Sequence, residues 1–245
     1  MIEDKSGITY RMQPQQFLID RVQGHTFLKN FLSANGKVMD LGMHKGDFAK
    51  VICGRYGCSV VGVEANPALA STLRGLDGLS CKNAAISAAD GSVKFAIIEN
   101  DLEASKIVSE SIPLSKTVVV VPSVSLATFF QEVNVTQLEL LKMDIEGAEL
   151  DVIETTDPRI FQRCKQITIE FHSFLYPADK ERVERVVSLL STFGFWHIDF
   201  STEWSDVLFI NNSLIDVPRL ARMLLITQKY HAGIARRLRR WSGVV

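Results

Sequence analysis

Short apolar segments rich in β-branched residues alternate along the chain with segments of helical periodicity, and this alternation restricts the fold more than any other feature. Strands are predicted at residues 37–41, 59–63, 79–86, 92–98, 117–121, 138–143, 166–171, 196–200 and 207–210. Helices are predicted at residues 17–32, 47–55, 66–76, 124–133, 150–154 and 179–193. Strands that alternate with helices indicate an α/β fold, in which a mainly parallel sheet carries helices on both faces.

Polar side chains stand at the points where several predicted strands end. In parallel α/β sheets, ligands bind beyond the carboxyl ends of the strands. The segments at these ends are residues 40–46, Glu64, residues 83–85, residues 144–147 and His172. We therefore predict a functional site where these segments meet, at one edge of the sheet.

The loop after the first central strand reads Asp40-Leu41-Gly42-Met43-His44-Lys45-Gly46. Its glycines permit positive φ and close approach of a ligand, and the following helix directs free N–H groups at the same point. A plain tight turn is the alternative. A dinucleotide loop has glycine where Asp40 stands, and a carboxylate there would repel a pyrophosphate. The loop therefore favours a cationic cofactor such as S-adenosylmethionine over NAD.

Glu64 ends the next strand and is followed by Ala65-Asn66-Pro67. A carboxylate at this point can accept hydrogen bonds from two ribose hydroxyls. The separation between Gly42 and Glu64 is typical of that function. A helix-capping or solvated glutamate is the alternative interpretation.

Several blocks of sequence together resemble the FkbM family of methyltransferases. They are residues 38–48, 63–67, 83–87 with Asp90-Gly91, Val124-Ser125-Leu126, and the longest block, Leu141-Lys142-Met143-Asp144-Ile145-Glu146-Gly147-Ala148-Glu149. The resemblance covers about residues 36–211. It implies the class I methyltransferase (Rossmann-like) fold, a seven-stranded, mostly parallel sheet whose last-but-one strand lies at the edge and whose final strand is antiparallel. It also implies S-adenosylmethionine as cofactor and, most often, O-methylation of sugars or natural products.

The same resemblance assigns cofactor contacts by position. Asp40, Gly42 and Gly46 would line the methionine half of S-adenosylmethionine and Glu64 its ribose, while Asn83, Ala84 and Ala85 would lie beside the adenine. For Asn83, a turn-forming side chain is the alternative. The predicted cofactor-binding set is completed by His44, Ala65 and Asp144.

The reacting end is predicted around Asp144, Glu146 and His172, because a hydroxyl acceptor needs a base that removes its proton. Asp144 directly ends an apolar strand and therefore needs a partner or ligand. His172 follows another strand, and its ordinary pKa of about 6.5 suits a base near neutrality. Glu149 is interpreted first as an acid in the first turn of a helix.

A divalent metal is the second interpretation of this Asp/Glu/His set, because carboxylates and water suit magnesium. It is not favoured, since no second Asp-Asn pair accompanies the set, and no metal ligand is assigned. Glu170 is interpreted either as a further site residue or as a partner of Lys142. The acceptor pocket is predicted from the N-terminal helix, the loop at residues 99–115, and residues 173–177 with Phe174 and Tyr176.

Three parts are predicted: an N-terminal helical cap at residues 1–35, an S-adenosylmethionine-binding methyltransferase domain at residues 36–212, and a basic amphipathic C-terminal helix at residues 213–245. From Val217 onward the chain has seven basic residues and no acidic one, whereas the rest has twenty basic and 28 acidic residues. The apolar residues near one helical face of the tail are Leu220, Met223, Leu224, Tyr230, Ile234, Leu238 and Trp241. The tail either docks on an anionic surface or packs on the domain with a solvated face.

The four cysteines, at positions 53, 58, 81 and 164, show neither C-x-x-C nor zinc spacing and indicate reduced thiols. No signal peptide and no apolar run of membrane-spanning length is recognised, so we predict a cytoplasmic protein, peripheral to a membrane if the tail docks there. Nucleic acid is a disfavoured partner. The leading function is O-methylation of a small-molecule or glycan acceptor. The alternatives are N-methylation, a catalytically silent cofactor-binding partner protein and, least favoured, a dehydrogenase.

Overall fold

A computed structural model describes residues 2–3, 9–10, 18–97, 106–107, 117–172 and 179–242. Side chains are described within 18–97, 117–172 and 179–230. Apart from Lys106–Ile107, the predicted loop at residues 99–115 lies outside the described residues, as do Phe174 and Tyr176.

From Lys37 onward the described elements mostly alternate between strand and helix, and the main interruption is a series of successive strands between residues 79 and 124. The strands are β1 (Ile2–Glu3), β2 (Thr9–Tyr10), β3 (Ile19–Val22), β4 (His25–Leu28), β5 (Lys37–Leu41), β6 (Ser59–Glu64), β7 (Leu79–Asn83), β8 (Ala85–Ile86), β9 (Gly91–Ile97), β10 (Lys106–Ile107), β11 (Thr117–Val124), β12 (Leu140–Met143), β13 (Gln166–Ile169), β14 (Phe195–Asp199) and β15 (Val207–Asn211). The helices are α1 (Asp47–Tyr56), α2 (Pro67–Thr72), α3 (Leu126–Glu132), α4 (Glu149–Thr155), α5 (Pro158–Phe161), α6 (Lys180–Thr192) and α7 (Arg219–Ser242).

Seven of the strands form one sheet in the order β7-β6-β5-β12-β13-β15-β14. Within it, β15 runs antiparallel to both of its neighbours, and the remaining pairs are parallel. The last-but-one strand in sequence, β14, lies at the edge. The predicted α/β fold, a class I methyltransferase (Rossmann-like) sheet of seven mostly parallel strands, is confirmed.

Apolar side chains cover both faces of this sheet because successive residues of a strand point to opposite faces. Met39 and Leu141 pack in a core with residues of α3, α4, α5 and α6. Their neighbours Val38 and Leu140 pack in a second core with α1 and the β3–β4 hairpin. Each such buried side chain stabilises the fold by roughly 2 kcal/mol. The central strands are therefore apolar almost throughout, and helices lie on both faces as predicted.

A second sheet, in the order β10-β9-β11-β8, interrupts the alternation of strands and helices. The strand predicted at residues 79–86 is divided between the two sheets, since β7 pairs with β6 and β8 pairs with β11. Ala84 lies between β7 and β8 and donates its N–H to the carbonyl of Glu64. The second sheet therefore begins at the carboxyl end of the main one.

The helix predicted at residues 17–32 is wrong over its described part, and the predicted N-terminal cap is not helical from residue 18 to residue 35. β3 and β4 form an antiparallel hairpin, and Lys29–Phe31 adds one 3₁₀ turn. Gln23 and Gly24 join the strands with φ of 46° and 87°, as a two-residue hairpin turn requires. All four residues of β4 are buried, so this strand lacks the alternation by which strands are recognised in a sequence.

Buried polar groups fasten this hairpin to the main sheet. The Gln166 side chain accepts a hydrogen bond from Leu28 N at 2.8 Å and donates one to Leu28 O at 3.1 Å. Asp206 accepts hydrogen bonds from both the backbone N–H and the hydroxyl of Thr26 at 2.8 Å, and it pairs with Arg21 at 2.9 Å. The position of the hairpin on the sheet is therefore closely specified.

The C-terminal helix α7 lies inside the range predicted for it, residues 213–245. Ala221 and Leu225 on this helix are fully buried against the face formed by β14 and β15. The Arg222 guanidinium lies 5.0 Å from the ring centre of Trp196. Among the described residues, no helix combines the length and apolar character needed to cross a membrane.

We predict that Asp206→Ala lowers the free energy of unfolding by about 3 kcal/mol, because two buried hydrogen-bond donors and Arg21 lose their acceptor. Urea denaturation measures the change, and Asp77→Ala, which alters an exposed aspartate, serves as the control. A loss below about 1 kcal/mol would show that the hydrogen bonds and the ion pair of Asp206 contribute little to holding the hairpin.

Candidate functional site

The carboxyl ends of β5, β6, β12 and β13 surround a cavity of about 530 Å³. Nine of the predicted site residues line it, namely Gly42, His44, Glu64, Ala65, Ala84, Ala85, Asp144, Glu146 and His172. Asp40, Gly46 and Asn83, which were also predicted to contact a ligand, lie outside its wall. The structure thus gathers most of the predicted set at one edge of the sheet.

The glycines of the β5–α1 loop are required by the packing of the protein itself. A Cβ atom on Gly42 would lie 1.8 Å from the carbonyl oxygen of Asp144, and one on Gly46 would lie 2.6 Å from a methyl group of Leu73. Both glycines have positive φ, 84° and 75°, which favours glycine independently. Gly46 therefore lets the loop pack against Leu73, outside the cavity wall, whereas Gly42 also borders the cavity.

Glu64 is a buried carboxylate held between two backbone donors. His44 N donates to one carboxylate oxygen at 2.7 Å, and Asn66 N donates to the other at 2.8 Å. Burial raises the pKa of Glu64, while these two hydrogen bonds oppose the rise. A carboxylate offers about four acceptor positions, so Glu64 retains capacity for two further donors from the cavity side.

Asn83 supports this region from outside the cavity. Its side-chain amide donates to the carbonyl oxygens of Glu64 at 2.9 Å and Ala65 at 3.1 Å. The alternative interpretation, a side chain that shapes a turn, therefore describes Asn83 better than the predicted contact with a base. Ala84 and Ala85 do line the cavity, and their small side chains leave a flat apolar wall.

Lys142 occupies the centre of the site and joins two of the predicted carboxylates. Its ammonium group lies 3.0 Å from Asp40 Oδ1, 3.4 Å from Asp144 Oδ2, and donates to the Gly42 carbonyl at 2.8 Å. Burial by itself lowers the pKa of Lys142, but Asp40 and Asp144 more than reverse this and keep the ammonium charged. Asp40 therefore lies outside the cavity wall and contacts Lys142, which lines the cavity.

The three predicted catalytic residues lie together on the cavity wall. His172 Nε2 lies 3.7 Å from Asp144 Oδ1 and 3.4 Å from Glu146 Oε2, while His172 Nδ1 lies 3.1 Å from Glu149 Oε1. Glu149 also accepts hydrogen bonds from Ile145 N and Gly147 N. Glu149 is thus more than a helix-terminal acid, because it holds both the turn after β12 and the imidazole.

Burial and neighbouring charges separate the proton affinities of these groups. Burial raises the pKa of Asp144, but Lys142 and His25 outweigh it and leave the pKa well below its ordinary value. For Glu146, burial with the nearby Asp144 and Glu149 raises the pKa to about 8, against the opposing charge of His172. Burial lowers the pKa of His172, yet the surrounding carboxylates raise it to about 9.

These shifts distinguish Glu146 from His172. An imidazole with a pKa near 9 is mainly protonated at neutral pH. Glu146 has the lower pKa of the two, about 8, so its base form becomes available at a lower pH than that of His172, and its partly exposed side chain lines the cavity. Sequence reasoning used the ordinary pKa of histidine and could not foresee three carboxylates around one ring.

His25 is a site residue that the sequence analysis missed. It is fully buried on β4, its Nε2 lies 3.4 Å from Asp144 Oδ2, and its ring contacts Phe48 edge to face. His25 and Gln23 bring the N-terminal hairpin to the cavity wall. The Gln23-Gly24 turn signal was present in the sequence, but the helix prediction obscured it.

Strained backbone is concentrated at this cavity. Six described residues other than glycine have positive φ, and three of them, Gln23, His44 and Glu146, line the cavity. Such a conformation costs about 1–3 kcal/mol and persists where surrounding contacts enforce it, commonly at functional sites. Gln23 belongs to the hairpin turn, whereas His44 and Glu146 lie in the loops that follow β5 and β12, where the site was predicted.

Among the side chains that the structure describes, two groups have the composition and spacing of a metal site. They are His25 with Asp144 and Glu170, and Asp144 with Glu149 and His172. Both depend on Asp144. The Lys142 ammonium lies within 3.4 Å of that carboxylate and already neutralises charge there. The predicted pairing of Glu170 with Lys142 is replaced by the pairs with Asp40 and Asp144, and Glu170 lines the cavity.

The sheet order and the polar cavity at its carboxyl edge define the class I methyltransferase fold. A model described as the methyltransferase FkbM domain matches residues 40–196. Because the match covers more than half of the chain, this protein belongs to the FkbM methyltransferase domain family. No curated protein matches the chain significantly.

Solved structures similar to this chain include several methyltransferases. They are Aeropyrum pernix fibrillarin with natively bound S-adenosyl-L-methionine (12% identity, covering 73% of this chain and 66% of that one, TM-score 0.39), Haemonchus contortus phosphoethanolamine N-methyltransferase 2 in complex with S-adenosyl-L-methionine (12%, 89% and 43%, TM-score 0.35), and a TehB-like S-adenosylmethionine-dependent methyltransferase from Corynebacterium glutamicum (12%, 72% and 79%, TM-score 0.34). The chain spans less than two thirds of the length of the first two.

We predict that His172 titrates with a pKa near 9, which nitrogen-15 NMR of the imidazole measures directly. His197 is the internal control, because burial lowers its pKa. Since the pKa of His172 is higher in the folded state, its stabilising contribution is complete below about pH 6.5 and is lost as the pH rises through about 9. A His172 pKa at or below 6.5 would contradict the charge arrangement described above.

Proposed function

We propose that this protein is an S-adenosylmethionine-dependent methyltransferase that methylates a hydroxyl group of a small molecule, a sugar or another natural product. Membership of the FkbM methyltransferase domain family supports methyl transfer. The single observation that carries the choice of a hydroxyl is Glu146, a carboxylate whose pKa is raised to about 8 on the wall of the cavity. A hydroxyl must lose a proton to such a base, whereas a neutral amine already presents a lone pair.

The groups that line the cavity are suited to bind S-adenosylmethionine. Glu64 has free acceptor positions for ribose hydroxyls, and Ala84 and Ala85 offer a flat apolar wall for a base. The acidic groups of the wall, Asp47, Glu64, Asp144, Glu146 and Glu170, outnumber the basic groups Lys45, Lys142 and His172. This excess of negative charge favours a cationic ligand. When bound, S-adenosylmethionine supplies a methyl group activated by a sulfonium.

Asp144, Glu146 and His172 have separate roles in methyl transfer. Asp144, kept ionised by Lys142, accepts a hydrogen bond from the acceptor and fixes its orientation. Glu146 takes the hydroxyl proton. His172, held by Glu149 at 3.1 Å, positions the Glu146 carboxylate from 3.4 Å and remains positively charged. Alignment of reactants and proton removal are the two contributions that such a displacement needs from a protein.

A resident metal is not part of this proposal. Lys142 supplies the positive charge next to Asp144 that a magnesium ion would otherwise supply. The predicted acceptor segments at residues 99–115 and 173–177 lie largely outside the described residues. Within the described part of the wall, we assign Gln23 and His25 of the hairpin to the acceptor side.

The two alternatives differ from this proposal in what they predict. N-methylation would make Glu146 dispensable once the amine is neutral. A cofactor-binding partner protein without catalysis would bind S-adenosylmethionine but show no turnover with any acceptor. No observation on the described residues favours either over hydroxyl methylation.

We predict that calorimetry detects S-adenosylhomocysteine binding to the wild-type protein, and that Glu64→Gln weakens it at least tenfold, about 1.4 kcal/mol. The reason is that one ribose acceptor becomes a donor. The control is Glu132→Gln, which alters a partly exposed glutamate paired with Lys82. Equal affinity of wild type and Glu64→Gln would show that the ribose is placed elsewhere, and tighter binding of NAD would reject this cofactor.

Glu146→Gln should lower kcat by about a hundredfold or more with hydroxyl acceptors while leaving S-adenosylhomocysteine affinity within about threefold. Radiolabelled methyl transfer to a panel of sugars, phenols and amines measures the rate, and wild-type activity should rise as the pH passes through about 8. Wild-type activity should persist in EDTA. Unchanged kcat in Glu146→Gln, or transfer to amines alone, would reject hydroxyl methylation.

A further inference from the structure

Exposed apolar side chains are concentrated on the C-terminal helix. Among the side chains that the structure describes, nine large apolar ones are exposed, and five of these lie between residues 220 and 230. They are Leu220 (56% exposed), Met223 (64%), Leu224 (37%), Ile226 (41%) and Tyr230 (62%). A concentration of this kind on a folded domain marks an interaction surface.

These residues face away from the domain. Ala221 and Leu225 are fully buried, and the Arg222 guanidinium stacks on Trp196 while donating to Val217 O and Asn212 Oδ1. Residues three and four apart share one side of a helix, so Leu220, Met223 and Leu224 form a row on the outer side of α7. The helix is thus anchored along one side and apolar along the other.

The charge of the same helix indicates what covers this surface. From Val217 to the end of the chain there are seven basic residues and no acidic one. Arg219 and Lys229 belong to the part with described side chains, and Ile234, Leu238 and Trp241 continue the apolar spacing in the sequence. With 24 residues the helix is about 36 Å long. An apolar row whose charged neighbours on the helix are all basic matches the boundary between anionic headgroups and acyl chains.

We propose that α7 docks the protein on an anionic lipid bilayer, lying in the plane of the interface with Leu220, Met223 and Tyr230 inserted among the acyl chains. Arg219 and Lys229 contact lipid phosphates. Because the opposite side of α7 packs on β14 and β15, docking holds the catalytic domain at the membrane surface without unfolding any part of it.

Flotation of the full-length protein with vesicles tests this proposal. Vesicles of equal parts phosphatidylcholine and phosphatidylglycerol should bind at least about tenfold more tightly than pure phosphatidylcholine vesicles, and high salt should weaken the binding. The double variant Leu220→Gln/Met223→Gln should reduce binding at least about tenfold, because two inserted side chains are lost. The matched control is Leu76→Gln/Val120→Gln, which alters exposed apolar residues elsewhere and should bind as the wild type does.

Three results would overturn the proposal. The first is failure of the wild-type protein to bind the mixed vesicles, a measurement that needs no variant. The second is binding that Leu220→Gln/Met223→Gln leaves unchanged. The third is a dimer in sedimentation velocity that this variant abolishes, without vesicle binding by the wild type, since the apolar row would then be covered by a second copy of the chain.

Discussion

The buried ammonium group of Lys142 is the interaction on which the rest of the site depends. It links β12, which carries it, to Asp40 on β5 and to the Gly42 carbonyl in the loop that follows. It also holds Asp144 ionised at the end of its own strand. Burying such charges costs several kcal/mol per ion unless each is paired and hydrogen-bonded. The two central strand ends and their loops are therefore fixed relative to one another by charge as well as by backbone pairing.

This fixed centre sets the properties of the groups around it. Because Lys142 keeps Asp144 ionised, protons at the site are bound by Glu146 and His172 instead. The carboxylate and the imidazole of these two residues lie 3.4 Å apart. Glu149 holds the turn that carries Glu146, and Gly42 must lack a side chain because Asp144 O lies where a Cβ would be. The hairpin contributes His25 to the cavity wall, 3.4 Å from Asp144. The chemistry proposed for the cavity thus follows from how the sheet edge is packed.

Much of this arrangement could be predicted from the sequence, because strand ends in a parallel sheet converge whatever the details of packing. The meeting of Glu64, Asp144, Glu146 and His172 follows from that rule. The α/β class follows from the alternation of strands and helices, and the edge position of the last-but-one strand was implied by the resemblance to the FkbM family. The hairpin could not be recognised, since β4 is buried on all sides and its apolar residues imitate a helical spacing. Lys142 was considered only as a partner of Glu170, although a single charge within the apolar run Leu140-Leu141-Lys142-Met143 requires a buried partner.

The roles within the site depend on distances that a sequence does not contain. Asp40 and Asn83 belong to the site, but as supports of Lys142 and of the β6 loop, and only their side-chain directions reveal this. The raised pKa of Glu146 likewise depends on burial and on three neighbouring charged groups. The sequence predicted the C-terminal helix but not which of its sides faces the domain. The burial of Ala221 and Leu225 and the contact of Arg222 with Trp196 identify that side.

The most direct measurement of the central claim is a crystal structure of the protein with S-adenosylhomocysteine. We predict density for the ligand along the edge formed by the ends of β5, β6 and β12. The ribose hydroxyls should donate hydrogen bonds to Glu64, and the sulfur should lie on the side of Asp144 and Glu146. Density for the ligand at any other surface, with Glu64 and the loop at residues 42–46 unengaged, would contradict it.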